Sequence, residues 1–122
     1  MSSFKKQIHQ RYMKGTYLGE FQEVILLTIL ILDDNAYGVT IKKELKNRLK
    51  RDCSRGALHT ALTRLQEKGF INSEMDGASD KRGGRRKRYY TVTNRGKVAL
   101  KEVRDMRDQL WGAIPNFSLK IG

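Results

Sequence analysis

Proline and cysteine each occur once in the 122 residues. With Pro115 as the only ring-locked residue, nothing before it forbids a helix on that ground, so a largely helical chain is expected. Cys53 alone excludes an intramolecular disulfide and implies a reducing, cytoplasmic setting. The thiol itself reads as a small half-buried apolar side chain ahead of a redox sensor. Acids are also scarce: 13 Asp and Glu face 25 Lys and Arg, for a formal charge of +12 and a pI near 10.1. That surplus points to an anionic partner, either nucleic acid or an acidic membrane surface. Long apolar runs are missing. The longest, Val24 to Leu32, is broken by Thr28 and falls far short of the about 20 residues that span a bilayer. The N-terminal stretch MSSFKKQIHQRYMKG lacks the apolar run and small-residue cleavage site of a signal peptide.

Catalytic groupings are equally thin. His9 and His59 are far apart, Cys53 has no evident base, and neither zinc-ligand spacing nor a GxxxxGK[ST] phosphate loop occurs. No enzyme, metal site or cofactor is expected. The length suits one domain with a small core.

What is present centres on Ser54 to Gly69, SRGALHTALTRLQEKG. Ala57, Leu58, Ala61, Leu62 and Leu65 recur at spacings that share one side of a helix. Ser54 suits the N-cap and Gly69 the left-handed stop. The opposite side presents Arg55, His59, Thr60, Thr63 and Arg64, all able to hydrogen-bond and none an acid. Any surface helix has a polar side, so the neighbourhood must decide.

Before this helix, LGEFQEVILLTILIL (18–32) is too apolar for a one-sided surface helix and reads as a core post buried on most sides. Glu20 and Glu23 suit the positive end of its dipole. Asp33-Asp34-Asn35 makes a turn, and a second helix runs from about Tyr37-Gly38 to Lys50. Tyr37, Ile41, Leu45 and Leu49 form its stripe toward the core, with lysines and Arg48 elsewhere. Two helices joined by a short link, the second turned outward, make a helix-turn-helix.

After Gly69 the period changes. Phe70, Ile71 and alternating residues to Met75 predict a strand, and Arg88 to Val92 predict its partner. Between them lies KRGGRRKR (81–88), with six cations in eight residues. Packed at one hairpin tip they repel one another unless a polyanion is near, and Arg is favoured in a narrow minor groove. This is a basic wing, and beside an acid-free helix face it favours nucleic acid over a merely solvated loop. Arg82, Arg85, Arg86, Lys87 and Arg88 join Arg55, His59, Thr60, Thr63 and Arg64 as candidate DNA contacts. Arg55 and Arg64 can donate to guanine or phosphate, and the threonines can reach phosphate or a thymine methyl. His59 is open between a base edge and the backbone.

Thr93 caps a final helix to about Ile114, where Pro115 ends it; Gly96 weakens the first turn. Ala99, Val103, Met106, Leu110 and Ala113 keep a heptad spacing of about two repeats, too short for a coiled coil in isolation. Trp111 and Ile114 widen that stripe. Trp111 reads as interface packing ahead of the alternative, that with Met106, Phe117 and Tyr12 it lines an apolar pocket between subunits. The expected divisions are an N-terminal arm or short helix (1–17), a winged helix-turn-helix (18–92), a dimerisation helix (93–115) and a tail (116–122). The fold class is mainly α with a small β-hairpin wing.

Four stretches in order, LGEF (18–21), AYGVTI (36–41), GALHTALTRLQEKGFI (56–71) and GGRRKRYYTVTNRG (83–96), resemble the PadR-like family of bacterial transcription regulators. The resemblance covers about 17–110, and the C-terminus looks like that of the smaller branch. It implies a winged helix-turn-helix, a homodimer formed through the C-terminal helix (Ala99, Val103, Met106, Leu110, Trp111, Ile114), and a palindromic double-stranded DNA operator. Such proteins are typically repressors, many released by small aromatic or lipophilic compounds. The sequence departs from the family pattern at His59, usually tyrosine, and Gln66, usually glutamate. A protein-docking or RNA-binding winged helix is the rival reading. A membrane-surface role fits less well, because the apolar sides of these elements are committed to a core.

Overall fold

In a computed structural model, residues 18–76 and 86–117 are described. The expected N-terminal arm, Arg82, Arg85 and most of the tail lie outside them.

The first helix, α1 (Glu20–Leu32), buries Ile25, Leu26 and Ile29 completely. Thr28, the polar interruption of the apolar run, is buried because its hydroxyl donates to the Val24 carbonyl at 2.7 Å. The helix is not a post buried on most sides. Leu27, Leu30 and Ile31 are 44%, 42% and 52% exposed, a strip that the chain's other elements leave uncovered.

A 3-10 turn (Asp33–Asn35) leads to the second helix, α2 (Gly38–Leu49). The Thr40 hydroxyl accepts from the Tyr37 N–H at 3.0 Å and lies 2.6 Å from the Asn35 carbonyl, to which it donates. That arrangement ties down the entry to α2. Ile41 and Leu45 of the expected stripe reach the core, whereas Leu49 is exposed. Lys50 adopts a left-handed conformation (φ 54°) immediately after it, and the Arg51 N–H returns to the Leu45 carbonyl at 3.3 Å. This closes the helix one turn beyond its last core contact.

Cys53 packs half-buried against the core. The third helix, α3 (Arg55–Glu67), then inserts Leu58, Ala61, Leu62 and Leu65. Ala57, expected on that side, is exposed. The Ser54 side chain accepts from the Ala57 N–H at 3.0 Å, the expected cap. Gly69 takes φ 81°, the expected left-handed stop.

Strands β1 (Ile71–Met75) and β2 (Arg88–Val92) pair antiparallel, from Ile71 opposite Val92 to Met75 opposite Arg88. Phe70 precedes the strand and is fully buried, plugging the core below the wing. The last helix, α4 (Asn94–Ala113), starts where the Thr93 hydroxyl accepts from the Gly96 N–H at 3.1 Å. Ile114 is extended, as the residue before a proline prefers. The fold is therefore the expected helical one with a hairpin wing.

Candidate nucleic-acid interface

Once its four large or small apolar residues are committed to the core, α3 has little choice about what it shows solvent. Arg55, His59, Thr60, Thr63 and Arg64 are all exposed. At 100° per residue, Gly56, Thr60, Thr63 and Glu67 lie directly opposite the buried stripe, with His59 beside them. The two arginines flank that line. Arg64 faces a cleft shared with Gly19, Phe21 and Gln22 at the start of α1. Arg55 faces α2. The outward face is also not free of acids, because Glu67 is exposed one turn beyond Thr63.

Beside Arg55 and His59, α2 contributes Lys42, Lys43 and Lys46 around a cavity of about 510 Å³ floored by Val39, Leu58, Leu62 and Tyr90. Lys42 is engaged by Asp52 at 3.1 Å, and that ammonium holds the Asp52 carboxyl below its ordinary value. Lys43 and Lys46 have no salt bridge among the described residues. These lysines were visible in the sequence as the polar side of a helix. Nothing local showed that this side adjoins the N-terminus of α3.

On the other flank, His59 and Thr63 share a cleft of about 450 Å³ with Gln66, Glu67 and the wing residue Arg88. Arg88 donates to the Ser73 hydroxyl at 2.9 Å, and that hydroxyl donates to Gln66 Oε1 at 3.2 Å. The wing is thus joined to α3 by a polar relay. Arg86 reaches the Asp76 carbonyl at 3.3 Å, while the Asp76 N–H donates to the Lys87 carbonyl at 2.8 Å. His59 lines both spaces, so the cations of α2, the outer face of α3 and the root of the wing form one continuous surface.

The joint between α1 and the α2–α3 link is an ion pair. Arg51 binds both carboxylate oxygens of Glu20 at 2.8 Å and lies over the Phe21 ring at 5.2 Å. The guanidinium lowers the Glu20 pKa, chiefly by hydrogen bonding.

A second surface is apolar. The heptad stripe of α4 divides along its length. Ala99 and Val103 are buried within this chain, so they serve its own core and are not available to a partner. Met106, Leu110, Trp111 and Ile114 are exposed, because α4 projects past the end of the core there. Trp111 meets Phe117 edge to face, with centroids 5.1 Å apart. Between α1 and α4 lies a cavity of about 780 Å³ whose apolar lining is Leu27, Leu30, Leu100 and Trp111. Trp111 lines this cavity, and Met106 does not. Arg107, at the rim, pairs with Glu23 at 2.9 Å.

Among the described residues, no cluster of His, Cys, Asp and Glu is arranged to hold a metal. No helix among them is long and apolar enough to cross a membrane.

A helix-turn-helix followed by a two-stranded wing defines the winged-helix class of DNA-binding regulators. The chain belongs to the PadR-like family of transcriptional regulators, which it matches over residues 26–102. It is 34% identical over 87 residues to an uncharacterised protein of Lysinibacillus sphaericus, covering 70% of this chain and 75% of that one. Its fold is similar to a PadR-like transcription factor of Bacteroides fragilis, with a TM-score of 0.65 and 23% identity over 90% of this chain and 93% of that one. It is also similar to a PadR family regulator of Clostridium difficile, with a TM-score of 0.61 and 26% identity over 75% of this chain and 92% of that one.

Proposed function

We propose that the protein is a cytoplasmic homodimeric repressor that binds a palindromic operator and is released by a small aromatic or lipophilic ligand. The observation that carries the DNA reading is the continuity of the exposed polar and basic surface from Lys43 and Lys46 through Arg55, His59 and Thr63 to Arg88. Thr60, Thr63 and His59 face the major groove in this reading. Arg55, Arg64 and the α2 lysines hold phosphates on either side, and Arg86, Lys87 and Arg88 reach the neighbouring backbone or minor groove.

Support for the homodimer comes from the opposite surface. Leu27, Leu30 and Ile31 of α1 and Met106, Leu110, Trp111 and Ile114 of α4 are large apolar side chains left in solvent by a single chain. Burying them against a second copy removes that cost. Two recognition helices in successive major grooves then lie about 34 Å apart, one helical turn. A ligand in the α1–α4 cavity touches Trp111 and the elements that set this spacing. It shifts DNA affinity only as far as it prefers one dimer geometry over the other.

The test is fluorescence anisotropy with the protein's own upstream DNA and a scrambled duplex at two salt concentrations. A specific regulator prefers the native duplex by about a thousandfold or more, with affinity falling steeply as salt rises. Equal, weak binding to both duplexes overturns the reading. Quenching of Trp111, the only tryptophan, then screens aromatic ligands.

A further inference from the structure

Tyr37 has no part in the contacts assigned above, yet it is the residue on which the wing is hung. It stands immediately before α2 with an extended backbone (φ −138°, ψ 174°) and makes an isolated antiparallel bridge to Tyr89 of β2. Next to that bridge the Tyr90 N–H donates to the Ala36 carbonyl at 2.9 Å. The Tyr37 and Tyr89 rings meet edge to face, with centroids 5.4 Å apart and planes at 68°. Over the Tyr37 ring sits the ammonium of Lys87, 4.6 Å from the centroid and 3.4 Å from the hydroxyl oxygen. Backbone, ring and charge thus converge on one side chain.

We propose that Tyr37 is a positioning residue for DNA binding, holding the Lys87 ammonium so that the wing offers it to a phosphate in fixed register with α3. The proposal rests on the DNA reading above. A free lysine carries a flexible four-carbon stem and loses much of its rotamer freedom when it docks. One already lying against an aromatic face loses less. The ammonium has three donors and Tyr37 takes at most one, so two remain for phosphate oxygens. An exposed cation–π contact is also weak enough to persist beside a phosphate without competing for it. Through the bridge to Tyr89, the same residue sets where the wing leaves the helix-turn-helix. The Gln66–Ser73–Arg88 relay holds the opposite side.

The experiment compares wild type with Tyr37→Leu, Tyr37→Phe, Lys87→Met and the Leu/Met double variant in the full chain. The probe is the duplex from the protein's own upstream DNA, titrated over a series of salt concentrations. Lys87→Met is expected to weaken binding about three- to tenfold and to flatten the log–log salt slope by about one. Tyr37→Leu should do the same, the double variant should lose no more than either single, and Tyr37→Phe should keep most of the affinity. Losses that multiply in the double variant overturn the proposal, as does a Tyr37→Leu variant with an unchanged slope. If Tyr37→Leu fails to fold, the proton chemical shifts of the Lys87 ε-methylene in DNA-free wild type decide. An upfield ring-current shift supports the contact, and ordinary lysine shifts overturn it. A wild type with no salt-sensitive binding overturns the DNA reading and this proposal with it, whereas a sensitive wild type with an indifferent Tyr37 overturns only the latter.

Discussion

Gly96 lies so close to Phe70 that a Cβ on it would stand 2.3 Å from the Phe70 carbonyl oxygen and 2.8 Å from Val92 Cγ1. The Phe70 carbonyl is fixed in turn by the Thr93 N–H at 3.0 Å, and the Thr93 hydroxyl donates to the Gly69 carbonyl at 2.7 Å. The C-terminus of α3 and the N-terminus of α4 are therefore locked together through one turn. Gly96→Ala forces backbone apart at that lock. It is expected to destabilise the fold by about 1–3 kcal/mol, the usual cost of overpacking, and urea denaturation measures it.

Gly56 is the opposite case. A Cβ there meets nothing within 4 Å, although the residue is in the first turn of α3. Gly56→Ala should stabilise the protein by about 0.5–1 kcal/mol through helix propensity. Because Gly56 lies on the outward line of α3, the same methyl should weaken DNA binding. A rise in melting temperature with unchanged affinity would place Gly56 outside the interface.

Glu67 is a carboxylate on a surface otherwise rich in cations and hydroxyls. Exchanging it for its neutral isostere removes a repulsion of phosphate without altering the fold. Glu67→Gln should tighten binding to specific and scrambled duplexes alike by a few-fold, read by anisotropy at low salt, and the gain should fade as salt screens it. A change in base preference instead would mark Glu67 as a reader of a base edge.

Leu110 is 62% exposed and Trp111 59%. Leu110→Asp places a charge on the proposed dimer surface at no cost to the chain's own core. Sedimentation should show dimer converting to monomer, and operator affinity should fall by about two orders of magnitude or more as the avidity of two linked half-sites is lost. An unchanged sedimentation coefficient would remove α4 from the interface.

The ion pair between Glu20 and Arg51 ties stability to acid pH. The Glu20 pKa is depressed below its ordinary value of 4.5 in the folded chain. The folded state thus binds fewer protons there than the unfolded state, so the contribution is fully present above pH 4.5 and is lost as pH falls through the lowered value. Glu20→Gln should reduce the acid-side slope of stability against pH, measured by thermal melts between about pH 3 and 6. Both groups are solvent-exposed, so the effect should also shrink with salt.

The amino-acid sequence by itself determined the order and type of the elements. Ser54, Gly69 and Thr93 announce helix ends by local chemistry, and the stripe Leu58, Ala61, Leu62 and Leu65 announces a buried face by spacing. Each acts within a few residues of itself, which is why each is legible without a fold. Only the tertiary structure decided which residues of a stripe stay inside. Ala99 and Val103 belong to the chain's own core while Leu110 and Trp111 do not, and Leu49 and Ile31 face solvent despite an apolar period. Burial depends on which elements arrive from elsewhere in the chain, and periodicity carries no record of that. The same holds for the surface around α3. That α2's lysines adjoin Arg55, and that Tyr37 meets Tyr89 and Lys87 across some 50 residues of sequence, are consequences of packing, and no local pattern encodes them.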